Sequence, residues 1–472
     1  MTDLAPFSSL AAAATHPDPA FPRFHPRPAQ GWINDPNGVS YINGRYHVFF
    51  QYNPHSARHT LIHWGHVSSA DLVHWEEHPV ALSPQEGGPD SAGCWTGVVT
   101  SDDGVPTAAY SGIQDYDGHS QVVIARGSSD LVSWEQDGHV AASMPADPLV
   151  TAVRDPFIFR FNGARYAMQG AGLADGRAAL LLYTVDSLDD WKYQGIWLTT
   201  ADPVAALHTP AEIWECPQLV RVSSGEWVMM FSLWLSGDDH EHANGVGHLI
   251  GSLTADPETG LPVFVPEGGG KSDLGRDFYA PQIAQLSYGS ADSAPAALLW
   301  GWANEGPGRD GRRGRTQEEI DDAGWSGVLT HPRVLSVVDG ALAVSPAPEV
   351  SAYRGASVAA GAAGSVVVPA FAEVLVRADG LGAEGAGSGA EAAGSAAVEL
   401  TLGSGSGAQL VYSGSLAAGE ELRIFIDASL VEVYRPGSVA TTLRAYPAPD
   451  EEWQLTLPAG ATADVWELTL PA

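Results

Sequence analysis

A repeat with a period of about 60 residues constrains the fold of this chain more than any other feature. Each copy starts with a polar or aromatic motif and continues with an apolar run, a glycine-containing turn and a second apolar run. Four copies begin at the evenly spaced positions Asp35, Trp95, Asp155 and Glu215, and a fifth begins near Tyr279 at a slightly longer interval. Two apolar runs around a glycine turn are typical of a β-hairpin.

A second marker recurs between these copies with nearly the same period. It reads DLVHWE, DLVSWE and SLDDWKY, and its tryptophans are Trp75, Trp134 and Trp191. Five unrelated hairpins at chance spacing are the alternative, but two independent markers that share one period argue against it. Five repeats with room for four strands each predict a five-bladed β-propeller over residues 23–335.

The rest of the chain predicts an all-β protein with a second domain. Residues 1–22 are rich in Ala and Pro and are predicted to be an N-terminal extension over the surface, and residues 336–350 a linker. Over residues 351–472, short strand-like runs are separated by Gly, Ser and Pro, which predicts a β-sandwich. The low-complexity stretch 380–397 is predicted to be a mobile loop between its strands.

Charge and composition exclude several classes of function. The chain of 472 residues has 56 acidic and 23 basic side chains, a formal net charge of −33, which predicts no nucleic-acid and no membrane partner. The first basic residue is Arg23, and no apolar run approaches the ~18 residues of a membrane span, so we expect a soluble cytoplasmic protein. Cys94 and Cys216 are too few for a disulfide framework and are expected to be reduced.

The propeller hypothesis brings distant carboxylates together. Equivalent repeat positions meet around the axis of a propeller, so Asp35, Asp155 and Glu215 are expected to converge in one funnel. An Asp before Pro is often only a turn residue, but three carboxylates at one repeat position, with Trp32 and Arg154 beside them, favour a site. In glycoside hydrolysis one carboxylate attacks the anomeric carbon and another protonates the leaving oxygen. Some of the 15 tryptophans would line a sugar pocket, and most would pack between blades.

The motifs in this chain resemble those of glycoside hydrolase family thirty-two, which includes invertases, β-fructofuranosidases, inulinases and levanases. The segments that carry the resemblance are WINDPNG (32–38), FFQYNP (49–54), HWGHVSSADLVHWEEHPVAL (63–82), RDP (154–156), WECP (214–217), RDFYAPQ (276–282) and WGWANE (300–305). The segment LRIFIDASLVEVY (422–434) resembles the C-terminal module of that family.

The resemblance implies a role for each matched position. Asp35 would be the nucleophile, Glu215 the general acid/base, and Asp155 a residue that holds fructose hydroxyls and stabilises the transition state. Arg154 is expected to keep Asp155 ionised. The implied substrate-binding residues are Trp32, Asn34, Gln51, His59, Trp64, Trp95, Thr96 and Arg154. Neither a metal nor a cofactor is implied.

Two positions depart from the family pattern at the pocket rim. His59 stands where family members commonly have Trp, and Trp95-Thr96-Gly97 stands where they often have Phe-Ser-Gly. Both changes affect substrate preference rather than reaction class. Glu212 lacks the motif register and is interpreted as a surface residue or a support for the site. The histidines between His55 and His78 follow loop and strand spacing rather than one helical face, which disfavours a metal site.

The sequence therefore predicts a retaining β-fructofuranosidase that hydrolyses sucrose and short fructo-oligosaccharides. The alternatives are a levanase or inulinase, a transfructosylating enzyme, a sucrose-6-phosphate hydrolase, an inverting arabinan or xylan hydrolase, and a carbohydrate-binding lectin. The basic cluster Arg309–Arg315 bears on the phosphorylated substrate. We expect it to be a solvated loop, and the alternative is that it binds the phosphate of a sugar.

Overall fold

The structure, a computed structural model, describes residues 10–236, 244–284, 297–305, 312–378 and 397–471. The predicted mobile loop 380–397 lies outside the described residues except for Ala397, and Arg309 also lies outside them. Strands make up almost all of the regular structure. Within the described ranges there are three α-helices, all short: α1 Leu10–Ala13, α2 Pro203–His208 and α3 Gln317–Ala323. None of the described helices is long and apolar enough to cross a membrane.

The first three quarters of the chain form five groups of consecutive, mainly antiparallel strands. Their strands are β1 Gly31–Ile42, β2 Arg45–Asn53, β3 His63–Ser69 and β4 Trp75–Leu82; β5 Gly93–Asp102, β6 Val105–Ile113, β7 Gln121–Gly127, β8 Trp134–Glu135 and β9 Val140–Ala142; β10 Val150–Phe161, β11 Ala164–Leu173, β12 Ala178–Ser187 and β13 Asp190–Thr199; β14 Ile213–Arg221, β15 Trp227–Trp234, β16 Val246–Ala255 and β17 Pro262–Lys271; β18 Phe278–Ile283, β19 Ala297–Ala303, β20 Trp325–Ser326, β21 Val328–Leu329, β22 Arg333–Val338 and β23 Ala341–Pro346. The third and fourth groups are joined into one eight-stranded sheet by the pair Gly172–Ile213, and the short strand Trp325–Ser326 belongs to the sheet of the first group.

The innermost strands of these groups close into a ring. Strands β1, β5, β10, β14 and β18 each contact the next, and β18 contacts β1. The short strand β20 pairs in parallel with β1, with Trp325 opposite Gly31, and so ties the end of the propeller to its first blade. The predicted propeller fold is confirmed, and its inner ring is made of five strands.

Each innermost strand carries a β-bulge at the same level of the ring. Regular pairing stops at Ile33, Cys94, Arg154, Glu215 and Tyr279, and it resumes three residues later in every blade. Two residues therefore stand opposite one residue of the neighbouring strand, which bends the strand and turns its side chains. Asp155, Cys216 and Ala280 occupy equivalent bulge positions with φ of 59°, 48° and 49°, a backbone conformation that is uncommon outside glycine.

The C-terminal part is the predicted β-sandwich. Its strands are β24 Arg354–Val368, β25 Phe371–Arg377, β26 Ala397–Leu402, β27 Gln409–Ser415, β28 Glu421–Asp427, β29 Leu430–Tyr434, β30 Thr441–Arg444 and β31 Trp453–Leu468. The two layers are continuous, because the first half of β31 pairs with β26 and its second half with β25. Side chains from both layers, such as Leu400 and Ile424, enclose one apolar core.

Two segments differ from their predicted form. The stretch 336–350, predicted to be a linker, contains the end of β22, all of β23 and the start of the 3₁₀ helix Pro348–Tyr353, so we now place the end of the propeller at Pro346. Within the predicted surface extension, Phe21 is fully buried, stacks on His16 and meets the edge of Trp325.

The propeller and the sandwich meet through buried ion pairs. Arg333 on β22 is fully buried and bonds to Asp273 at 2.8 Å and to Glu432 of the sandwich at 2.7 Å. His25 bonds to Asp427 at 2.6 Å and to Glu432 at 2.9 Å. Buried charges are tolerated only when they are paired and hydrogen-bonded, so this interface depends on the alignment of both domains.

The basic cluster lies against this interface, and the expectation of a solvated loop is wrong for the buried Arg312, whereas Arg313 remains exposed. Arg312 is buried and bonds to Asp277 at 2.6 Å and to the carbonyl of Arg444 at 2.7 Å. Arg313 pairs with Glu451 at 2.6 Å. Arg315 pairs with Asp18 and packs over Trp325. The sequence could not show these partners, because most come from distant parts of the chain.

Replacing Arg333 tests this interface. Arg333→Leu leaves Asp273 and Glu432 buried without their cation, so we expect the free energy of unfolding to fall by about 3–5 kcal/mol. The urea midpoint, followed by tryptophan fluorescence, measures the loss. Arg377→Leu is the matched control, because that guanidinium is 36% exposed and its pair with Asp464 is worth less than about 1 kcal/mol. Equal midpoints for the two variants would contradict the role given to Arg333.

Candidate active site

The five bulges surround a cavity of about 530 Å³ at the axis of the propeller. Its volume suits a small ligand. It is lined by Trp32, Asn34, Asp35, Gln51, His59, Trp95, Thr96, Tyr116, Asp117, Gly118, Ala152, Arg154, Asp155, Ile213, Glu215, Trp234, Tyr279 and Trp302. All of the residues predicted for the site lie in this lining except Trp64.

The three predicted carboxylates converge here, but not from one repeat position. By strand register, Glu215 is the last paired residue before its bulge, Asp155 is the first bulge residue and Asp35 is the second. The even spacing of the three motifs concealed this stagger, because Arg154, and not Asp155, is the structural equivalent of Glu215. Asp35, Asp155 and Glu215 therefore approach the cavity from three successive positions of the same bend.

Asp35 is held at the base of the pocket by neutral donors. Its carboxylate accepts hydrogen bonds from the Thr96 hydroxyl and, at 3.1 Å each, from the amides of Gln51 and Asn34. The thiol of Cys216 lies 3.5 Å away. None of these donors is a cation, so they fix the orientation of the carboxylate without neutralising it.

Asp155 is anchored mainly through backbone groups. Its Oδ2 accepts the N–H of Cys216 at 2.8 Å, and its own N–H donates to Ser111 Oγ at 2.8 Å. The Cys216 thiol is 3.6 Å from the same carboxylate oxygen, so one sulfur lies against both Asp155 and Asp35. Cys216 and Cys94 are free and buried, in agreement with the expected reduced thiols.

Of the three carboxylates, Glu215 is the one that forms an ion pair with Arg154. Arg154 Nε donates to its Oε1 at 2.7 Å, and the Tyr279 hydroxyl donates to its Oε2 at 2.7 Å. The expectation that Arg154 keeps Asp155 ionised is wrong, because its ion pair is with Glu215. The Glu215 side chain is 16% exposed.

The two aspartates are consequently hard to ionise in the empty pocket. Burial, reinforced by the neighbouring charge of Glu215, raises the pKa of Asp35 to about 7. The same two causes raise the pKa of Asp155 to about 8, although Arg154 acts in the opposite direction. Opposed carboxylates in a shared low-dielectric pocket are typical of acid/base catalysis.

Aromatic rings form the upper wall of the cavity. The His59 ring lies 5.8 Å from that of Trp32 and 5.7 Å from that of Trp95, so it connects two tryptophans. Burial lowers the pKa of His59 to about 4, so it is neutral near pH 7. The Trp32 indole N–H and Asn34 Oδ1 are buried without a protein partner and could serve ligand hydroxyls.

Trp64 is a correction to the predicted pocket. It is fully buried behind the wall, and its indole N–H donates to the carbonyl of Trp95 at 3.1 Å. It therefore supports the position of Trp95 and does not face the cavity. Glu212, interpreted as a surface or supporting residue, bonds to Ser236 and is not part of the lining.

Sequence reasoning missed several lining residues. Tyr279 could have been found, because it starts the fifth repeat and stands at the position equivalent to Glu215. Trp302 could also have been found, because it lies in the WGWANE segment (300–305) that carries the family resemblance. Tyr116, Asp117 and Trp234 lie at a strand end or in a loop outside the motifs, and nothing in their local sequence distinguishes them from packing residues.

Three side chains within the described part of the chain could together bind a metal ion: His25, His331 and Glu432. They lie at the domain interface and not in the cavity. Glu432 is already paired with Arg333 and His25, so the group is explained by the ion pairs described above.

Comparison with known proteins identifies the family. Residues 25–346 match the family model described as "Glycosyl hydrolases family 32 N-terminal domain". The chain belongs to glycosyl hydrolase family 32. The predicted resemblance is confirmed.

Individual relatives agree with this assignment. The chain is 31% identical over 350 residues to a sucrose-6-phosphate hydrolase of Zymomonas mobilis, covering 71% of this chain and 63% of that enzyme. It is 32% identical over 344 residues to the raffinose invertase of Escherichia coli, covering 71% and 66%. The match thus spans slightly less than two thirds of these relatives. The β-fructofuranosidase BmSUC1 of Bombyx mori has the same fold, with a TM-score of 0.76, 23% identity and coverage of 98% and 97%.

The raised pKa of Asp155 predicts a pH-dependent stability. The folded protein retains a proton there that the unfolded chain has lost above about pH 4, so this contribution to stability decreases as pH rises from about 4 to 8. Asp155→Asn keeps an acceptor for the Cys216 N–H and removes the charge. We expect the difference in melting temperature, variant minus wild type, to be larger at pH 8 than at pH 5.

The control for this effect is Asp186→Asn. The Asp186 side chain is 88% exposed and lies 3.8 Å from Lys192. Asp186→Asn therefore removes the same single negative charge as Asp155→Asn, but from a carboxylate that is not buried. A difference in melting temperature that stays constant with pH for Asp155→Asn would contradict the assigned cause.

Proposed function

We propose that this protein is a retaining β-fructofuranosidase that hydrolyses terminal β-D-fructofuranosyl residues of sucrose and short fructo-oligosaccharides. The observation that carries the proposal is the division of labour between two carboxylates of one pocket. Asp35 is buried among neutral donors, and Glu215 is held by Arg154 and Tyr279 near the opening. One is oriented to attack, and the other is connected to groups that can support a change of protonation.

The proposed reaction is a double displacement. In the first step a carboxylate oxygen of Asp35 attacks the anomeric carbon of the fructosyl unit, the glycosidic bond breaks, and Glu215 donates its proton to the leaving oxygen. In the second step Glu215 removes a proton from water, the water oxygen attacks the same carbon, and Asp35 is released as its carboxylate. Asp155 binds fructose hydroxyls next to the reacting carbon.

The shape of the pocket supports an exo-acting enzyme. Asn34, Asp35 and Asp155 are at least nine-tenths buried at its base, whereas Tyr116 at the rim is 54% exposed. A blind pocket of this kind accepts the end of a chain more readily than its middle. The names of the relatives support sucrose-type substrates, and the net charge of −33 supports a small-molecule substrate rather than a nucleic-acid or membrane partner.

Product analysis tests the proposal directly. We expect glucose and fructose from sucrose, and fructose from the ends of short fructo-oligosaccharides, with slower release from inulin and levan. The anomer first released, followed by NMR, should keep the β configuration. Absence of hydrolysis of every fructoside, or inversion at the anomeric carbon, would refute it.

The nucleophile is tested by Asp35→Asn, which keeps the size of the side chain and removes the attacking charge. We expect kcat on sucrose to fall by at least about three orders of magnitude, with an unchanged circular dichroism spectrum. Asp186→Asn serves as the control and should retain full activity. Substantial turnover in a folded Asp35→Asn variant would reassign the nucleophile.

The acid/base role is tested by Glu215→Gln with two classes of substrate. A leaving group of low pKa needs little protonation, so a nitrophenyl fructoside should lose much less activity than sucrose in the first step. Pre-steady-state release of nitrophenol measures that step separately from hydrolysis of the fructosyl-enzyme. Equal losses for both substrates would show that Glu215 does not protonate the leaving oxygen.

A further inference from the structure

We propose that Tyr116 and Asp117 form the wall of the subsite for the leaving sugar, and that this wall selects an uncharged sugar over one that carries a phosphate. The inference rests on the proposed function, because it assigns the sugar that Glu215 would protonate. Tyr116 and Asp117 lie in the loop between β6 and β7, outside the sequence motifs.

The loop is fixed beside the proposed proton donor. After β6, the Gly118 carbonyl accepts the N–H of Val153 at 3.2 Å, and the Ser120 hydroxyl donates to the Val153 carbonyl at 2.9 Å. Val153 directly precedes Arg154, which holds Glu215. The loop that carries Tyr116 and Asp117 is therefore attached to the strand that holds Arg154, the partner of Glu215, and Tyr116 is exposed at the opening of the cavity.

The two side chains have the chemistry of a sugar subsite. The Tyr116 ring lies 5.9 Å from the Trp95 ring and is 54% exposed, so it extends the aromatic wall toward solvent. Asp117 is exposed in the same lining and presents a carboxylate at the opening. An aromatic face packs against a sugar ring, and a carboxylate accepts hydrogen bonds from its hydroxyls.

The described part of the lining offers no cation to a phosphate. Arg154 is its one guanidinium and is committed to Glu215, and His59 is neutral near pH 7. The described arginines of the basic cluster, Arg312, Arg313 and Arg315, are bonded at the domain interface. Phosphate recognition normally uses Arg or Lys, whereas here a phosphorylated leaving sugar would meet Asp117.

The consequence is a difference from relatives whose names state sucrose-6-phosphate hydrolysis. The rate of fructose release measures both substrates with one product. At low salt we expect the wild-type kcat/KM for sucrose-6-phosphate to be at least about tenfold below that for sucrose. At about 0.5 M salt the repulsion between Asp117 and the phosphate is screened, so the ratio of the two kcat/KM values should rise toward 1.

Variants of the rim test the wall itself. Asp117→Asn should raise the ratio of kcat/KM for sucrose-6-phosphate over sucrose by about three- to tenfold, Asp117→Lys should raise it further, and Asp186→Asn should leave it unchanged. Tyr116→Ala should raise KM for sucrose by about tenfold, with a smaller effect on kcat.

The outcomes separate the inference from the function on which it rests. A wild-type preference for the phosphorylated sugar, equal efficiency on both substrates, or a ratio that neither Asp117 variant changes would overturn the inference and leave the proposed function standing. Fructose release from neither sugar would refute the proposed function itself.

Discussion

The β-bulge in each innermost strand is the constraint on which the site depends. A regular strand alternates its side chains between two faces, so neighbouring residues could not serve one cavity. Two residues opposite one break that alternation at the same level in all five blades. The propeller ring thereby supplies positions around its axis that a regular sheet lacks, and the left-handed backbone at Asp155 and Cys216 belongs to the same bend.

The bulges also hold like charges close together in the pocket. Asp35, Asp155 and Glu215 lie close together in a small cavity with Arg154, and that guanidinium is bonded to Glu215. Burial then raises the pKa of Asp35 and of Asp155. A chain optimised for stability alone would avoid this arrangement, since it disfavours the charged forms that chemistry needs. The domain interface shows the opposite solution, because Arg333 is matched there by Asp273 and Glu432.

The sequence predicted the propeller, the sandwich and the three converging carboxylates, since a repeat period reports directly on a repeated architecture. It could not predict that Asp35, Asp155 and Glu215 sit at three successive bulge positions, because the stagger appears only in the strand pairing. Trp64 was misplaced for a similar reason, since the motif around it does not reveal which face of β3 meets the cavity. The partners of Arg312 and Arg315 were also beyond prediction, because they come from distant parts of the chain.

The ion pairs of His25 have a consequence for how the polypeptide reaches this state during synthesis. His25 lies near the beginning of the chain, and its partners Asp427 and Glu432 follow 402 and 407 residues later. Contacts of such sequence separation form late, because the loop they close must first be ordered. Until the sandwich emerges from the ribosome, His25 lacks both of its carboxylate partners and Arg333 has Asp273 but not Glu432. The sandwich thus completes an interface whose other half, on the propeller, is translated before it.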